Sequence, residues 1–237
     1  MFTIGAAESF PPGSIYPRNI FLDLFALTLL PMRPESRLLV GVDGVDGSGK
    51  TTFADELARH IAAADSRPVI RVSLDAFHNI SEIRYRLGRR SPEGFWLDSF
   101  NLEQFKEYVL EPLRSDSRSI RDRGHSLDTD EVLDPPRLFA APNAIVLIHG
   151  LFLHRDELYG YWDYSVFLDT PFHITAARMA ARDGAPVEHP YQQRYTGGQR
   201  LYFAAADPAK RASLVLDNCA MENVGVIGPA EASYCSC

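Results

Sequence analysis

Cysteine is nearly missing from this chain of 237 residues: Cys219, Cys235 and Cys237 all come late, with no C-x-x-C spacing. That excludes a disulfide framework and a structural zinc site, and it points to reduced thiols in a cytoplasmic protein. Positive charge is also short. Lys and Arg number 24 against 31 Asp and Glu, a net charge of −7. Such a balance argues against a general nucleic-acid binder, which carries a basic face, but leaves a nucleotide ligand open. No apolar run reaches the length of a membrane span. The strongest, over 20–30, is interrupted by Asp23 and bounded by Pro17 and Pro31. Only Arg18 is basic just before it and no small-residue cleavage site follows, so neither an export signal nor a membrane partner is expected. Internal repeats and low-complexity linkers are missing as well.

What is present is an ordinary globular composition, 46% apolar and 23% charged, in a chain long enough for one domain with a full core. Apolar runs alternate with helical patterns. Leu38-Leu39-Val40-Gly41-Val42, Pro68 to Ser73, Ala144-Ile145-Val146-Leu147-Ile148, Tyr164-Ser165-Val166-Phe167-Leu168 and Ala212 to Leu216 read as strands. Helices are expected over 20–30, 51–61, 102–113 (Asn101 as cap), 172–181 and 192–206. Alternation of this kind implies an α/β fold: a parallel sheet of about five strands with helices on both faces. The expected organisation is a helical extension over 1–35, a core over 36–218 with a small lid at about 178–198, and a tail over 219–237.

Between the first of those strands and its helix stands Gly44-Val45-Asp46-Gly47-Ser48-Gly49-Lys50-Thr51, a full match to G-x-x-x-x-G-K-[ST]. Strand, glycine loop and helix together make a phosphate cradle: backbone N–H groups converge and the helix N-terminus adds partial positive charge. Gly44, Asp46, Gly47, Ser48, Gly49, Lys50, Thr51 and Thr52 form the expected nucleotide-binding stretch. Lys50 reaches for the β- and γ-phosphates, and Thr51 offers its hydroxyl to Mg²⁺. Ligands of parallel sheets bind at the carboxyl ends of strands, which gives weight to Asp75, His149 and Asp169. Asp75 reads either as the carboxylate that takes a proton from an attacking hydroxyl, or as a Mg²⁺ partner, or as a turn aspartate. Arg178 and Arg182, four apart, share a helix face. They either close over phosphates or form a solvated basic face.

These segments together resemble the uridine kinase and phosphoribulokinase group of phosphate-loop kinases over roughly 36–218. Asp75-Ala76-Phe77-His78 follows the second strand as in that group. Gly94 to Asn101 resembles its Asp-Ala-Phe-Asp segment, Ile148-His149-Gly150 its strand-end Glu-Gly, and Arg178 to Asp183 its lid motif Arg-x-x-x-Arg-Asp. The resemblance implies ATP and Mg²⁺ as cofactors and transfer to a hydroxyl of a small acceptor, first of all the 5′-hydroxyl of uridine or cytidine. It makes Asp75 the general base, with Lys50, Arg178 and Arg182 as catalytic partners. Asp98 would hold the ribose hydroxyls and His125 the base, with His78, His149 and Arg194 also near the acceptor. A pantothenate or sugar-phosphate acceptor and a nucleotide-binding regulatory homologue are the alternatives, and self-association is left open. No Asn-Lys-x-Asp or Asp-x-x-Gly motif points to a GTPase switch.

Two departures stand out. His149 occupies the place of a carboxylate that helps organise Mg²⁺, and neutral imidazole is a poor substitute for hard oxygen. Either Asp75, Thr51 and water suffice, or His149 contacts substrate or orders a water, or catalysis is weakened or lost. Ser91-Pro92-Glu93 replaces the Asp-His-Pro lead-in before Asp98, which leaves the identity of the base open.

Overall fold

The computed structural model describes residues 10–184 and 192–235. In chain order its main elements are β1 (Ile15–Pro17), α1 (Arg18–Leu29), β2 (Leu38–Gly44), α2 (Lys50–Ala64) and β3 (Val69–Ser73). After a 3-10 turn (Leu74–Phe77) come α3 (Pro92–Asp98) and a helical rod, α4, over 102–114. Then follow β4 (Ile145–His149), β5 (Tyr164–Asp169), α5 (Phe172–Asp183), α6 (Gln192–Ala206), β6 (Leu214–Asp217) and β7 (Asn223–Ile227).

The sheet runs β1-β7-β6-β5-β2-β4-β3. Its five central strands are parallel, as the apolar runs predict, and β2, β4 and β5 are buried along their whole length. Continuous apolar sequence is what a strand covered on both faces requires. The faces still alternate: Leu38, Val40 and Val42 pack with α1 and α2, whereas Leu39, Val146 and Ile148 pack with α4 and the 150s segment. Register aligns the carboxyl ends, with Ser73 opposite His149, Gly44 opposite Leu168 and Asp217 opposite Asp169. One edge of the sheet therefore presents every strand end considered above.

Two corrections concern the chain ends. The segment after 218 is not a tail. Asn223–Ile227 pairs antiparallel with β6, and β1 pairs antiparallel with β7. The extension likewise adds a strand as well as a helix. Its rings Phe10, Phe21 and Phe25 pack with Phe53 of α2 and Tyr164 of β5. Residues 1–9, Cys237 and the 185–191 part of the expected lid lie outside the described residues. Cys219 and Cys235 are free thiols. Among the described residues no helix is long and apolar enough to cross a membrane.

The rod over 102–114 starts where expected, with the Asn101 side chain accepting from the Gln104 N–H. It is not uniformly α-helical: Lys106–Leu110 is a π turn. Pro112 has no N–H to offer the Tyr108 carbonyl, and the Arg121 N–H takes that carbonyl instead at 3.0 Å.

Phe25 is fully buried between α2 and the sheet. Phe25→Ala is expected to lower unfolding free energy by about 3–5 kcal/mol. Urea denaturation checks this; a loss below ~1 kcal/mol would mean that the extension is not part of the core.

Candidate active site

The glycine loop leaves β2 and enters α2 with a backbone that only its sequence permits. Gly44 has φ +155°, and a Cβ there would sit 2.6 Å from Ser48 Oγ and 2.7 Å from the Leu168 carbonyl. Gly49 at φ +93° caps α2 without any side-chain acceptor, so the first N–H groups of that helix are left for an anion. Lys50 is buried and folds across the loop, donating to the Val45 carbonyl at 2.8 Å.

Three anchors outside the loop hold it. Asn218, just past β6, donates to the Ser48 carbonyl at 2.6 Å and accepts from Arg18 at 2.8 Å. Gln199 on α6 accepts from the Asp46 N–H at 2.7 Å. The third was missed in the sequence. Asp43, the last residue before Gly44, is 0% exposed. One carboxylate oxygen accepts from the Gly44 N–H at 2.7 Å. The other accepts from His154 Nδ1 at 2.8 Å, from the His154 N–H at 3.2 Å and from the Tyr202 hydroxyl. Burial and the Asp43 carboxylate push the Tyr202 phenol well up, so it stays a donor. The legible signal was an acid ending an apolar strand against the loop, a placement that requires buried donors.

In front of the loop lies a cavity of about 250 Å³. Asp46, Gly47, Gly49, Lys50, Thr51 and Thr52 form one wall, and Asp75, Arg178 and Arg182 the other. The expected nucleotide and catalytic residues thus meet, with Ser48 buried beneath them. Asp75 is exposed at the start of the 3-10 turn, its N–H held by Ser73 Oγ at 3.2 Å. Arg178 is braced by the carbonyls of Asn218 and Cys219 at 2.9 and 2.8 Å. His78 does not line this cavity; it binds the Asp75 carbonyl at 2.7 Å and stiffens the turn that presents Asp75.

A second cavity of about 480 Å³ opens at the ends of β3 and β4. His149 and His125 line it, with Ser73, Ser126, Arg71 and Arg123. Both histidines are buried, and each has an Nδ1 without a hydrogen-bond partner among the described residues. Burial lowers the His149 pKa, with Lys50 and Arg71 adding to the effect and Asp75 opposing it. The imidazole is therefore neutral at pH 7. The arginines are already paired, Arg71 with Asp55 and Arg123 with Asp122.

Three expected acceptor residues, His78 among them, line neither cavity. Asp98 ends α3 and is clamped by Arg86 through two bonds of 2.9 and 2.6 Å. Arg194 is buried on α6 and donates to the carbonyls of Arg84, Gly88 and Ser91, tying down that loop. Asp98 finds Arg86 twelve positions away, and Arg194 finds its carbonyls more than a hundred positions away, contacts that spacing alone does not reveal.

The Phosphoribulokinase / Uridine kinase family matches residues 39–190. The chain belongs to that family. It is 25% identical over 186 residues to a uridine kinase of Leuconostoc citreum (strain KM20), covering 76% of this chain and 86% of that one. A uridine kinase of Lactobacillus helveticus (strain DPC 4571) is 23% identical over 187 residues, covering 75% and 84%. Among solved structures, a possible uridine kinase from Bacillus stearothermophilus superposes with a TM-score of 0.66 at 23% identity, covering 82% of this chain and 96% of that one. The fold of this family member is that of a phosphate-loop kinase, and membership makes kinase chemistry its coarse function.

Lowered pKa values at His149 and His78 carry a pH signature. The unfolded chain protonates these groups near their ordinary value of 6.5, whereas the folded chain resists it. Stability is therefore expected to fall as pH drops below that value. Unfolding curves from pH 7.5 to 5 for wild type and His149→Gln test this, against a buffer range chosen by the titration of histidine. The variant should show a shallower slope; an equal slope contradicts a neutral buried His149.

Proposed function

We propose that the protein transfers the γ-phosphoryl group of ATP to a hydroxyl of a small neutral acceptor, first of all the 5′-hydroxyl of a pyrimidine nucleoside. The observation that carries this reading is the pair of adjoining cavities, one lined by the phosphate loop and Asp75, the other by His125 and His149, whose Nδ1 atoms have no hydrogen-bond partner among the described residues. Those nitrogens suit the hydrogen-bonding edge of a pyrimidine or the hydroxyls of a sugar. The pairing of Arg71 and Arg123 with aspartates disfavours a sugar phosphate, since the cavity offers little uncompensated positive charge. The relatives bearing the name uridine kinase support the nucleoside.

In this reading the loop N–H groups and Lys50 bind the β- and γ-phosphates, Lys50 leaving the Val45 carbonyl as it does so. Asp75 accepts the hydroxyl proton at a carboxylate oxygen. Arg178 and Arg182 face the loop from α5 and offset charge on the transferring group. Thr51 and Asp75 are hard oxygen donors in the same cavity, a set that fits Mg²⁺ completed by phosphate oxygens and water. Bound Mg²⁺ would neutralise phosphate charge. His149, in place of a carboxylate, then serves the acceptor side.

ADP release measured with uridine, cytidine, pantothenate and a sugar phosphate should show turnover with a nucleoside. Asp75→Asn should lower kcat by about 100- to 10,000-fold at unchanged ATP affinity. Turnover near wild type removes Asp75 as base. Tight ATP binding with no acceptor-dependent ADP in any arm favours a regulatory homologue instead.

The two histidines make a second test. His125→Ala should raise KM for the nucleoside several-fold and leave KM for ATP unchanged. Equal KM values for the nucleoside would take His125 out of the acceptor site.

A further inference from the structure

A third cavity, about 810 Å³ in volume, lies at the other end of α5 and shares no lining residue with the two described above. That size suits a small organic ligand. Its walls are chemically distinct from each other. One is aromatic: Phe172 stacks on Phe203 at 5.9 Å, and Phe203 stacks on Tyr234 at 4.1 Å. The other is built for an anion. It includes the start of α5, a 12-residue helix whose N-cap is Pro171 and whose first turn receives no side-chain cap. Uncapped N–H groups and the helix dipole favour negative charge there.

Three side chains reinforce that wall. Thr170 is 2% exposed and lines the cavity, and its hydroxyl has no hydrogen-bond partner among the described residues. A buried hydroxyl without a partner is costly, and a ligand oxygen would satisfy it. Arg200 of α6 lies over the Phe172 ring at 5.8 Å, and His173 stands on the rim. The one carboxylate on the lining, Asp207, is already held by Lys210 at 2.6 Å and by the Tyr234 hydroxyl at 3.0 Å.

We propose that this cavity is a binding site for a small planar aromatic anion: the ring stacks on the Phe172, Phe203 and Tyr234 wall, and the acidic group meets Thr170, the start of α5 and Arg200. The acid is a phosphate on a nucleobase-bearing molecule or a carboxylate on the ring itself. The site is independent of the phosphoryl-transfer reading, because none of its residues faces the loop cavity or the histidine cavity. Val45 is its one contribution from the glycine loop.

Calorimetric titration of the full chain with UMP, orotate and uridine separates the alternatives. UMP also fits the acceptor cavity as the product of the proposed reaction, so UMP binding that Arg200→Gln or Thr170→Val weakens supports the phosphate form, orotate binding weakened by them supports the carboxylate form, and binding of neutral uridine should be insensitive to both variants. Arg200→Gln and Thr170→Val should each weaken binding of the anion at least fivefold. Thr170→Val should melt at or above the wild-type temperature, since it removes only an unpartnered hydroxyl. His125→Ala, which alters the acceptor cavity, should leave the binding intact. The proposal is overturned if neither anion binds at millimolar concentration. It is equally overturned if binding survives both Arg200→Gln and Thr170→Val, or if His125→Ala alone abolishes it.

Discussion

A single buried carboxylate, Asp43, sets the position of the phosphate loop. It stands at the end of the central strand β2 and accepts hydrogen bonds from the Gly44 N–H, from His154 twice and from Tyr202. An ion with no exposure survives only with such a set of donors, so each donor is obligatory. The consequence is geometric. Gly44 begins its turn where the sheet ends, the loop curls over α2, and Tyr202 binds α6 to the same carboxylate. Gln199, three residues earlier on α6, holds the Asp46 N–H. Helix α6 thus grips the loop at two points, and Asn218 grips it at a third.

That frame explains how one edge of a parallel sheet becomes a site. Strand register delivers Gly44, Ser73, His149 and Asp169 to the same side. The loop supplies anion-binding N–H groups, the 3-10 turn supplies Asp75, and α5 brings Arg178 across from the opposite wall. Two chemical environments result: hard oxygen donors Thr51 and Asp75 in the loop cavity, and His125 and His149 in the second cavity.

Much of this was legible in the amino-acid sequence because the strongest signals are local. The central strands are continuous apolar runs, and the loop carries its own glycines, lysine and threonine within eight positions. Helices α5 and α6 follow their patterns closely. The edge strands did not announce themselves. Ile15–Pro17 is three residues long, and Asn223–Ile227 has Gly225 at its centre, so neither shows a clear two-residue alternation. Asp98 and Arg194 lie outside both cavities for another reason. Asp98 and Arg194 carry the residue types a substrate site needs, yet their charges are spent on Arg86 and on backbone carbonyls that only the fold brings near. Asp43 was overlooked for the converse reason: its donors, His154 and Tyr202, lie more than a hundred positions away.

In the proposed reaction nucleotide and acceptor occupy the two adjoining cavities with Asp75 between them. A crystal structure with a non-hydrolysable ATP analogue, Mg²⁺ and uridine tests it most directly. The β- and γ-phosphates are expected on the loop N–H groups and Lys50, the nucleoside against His125 and His149, and its 5′-hydroxyl within hydrogen-bonding distance of Asp75. A nucleoside bound elsewhere, or an Asp75 carboxylate turned away from the hydroxyl, would contradict it.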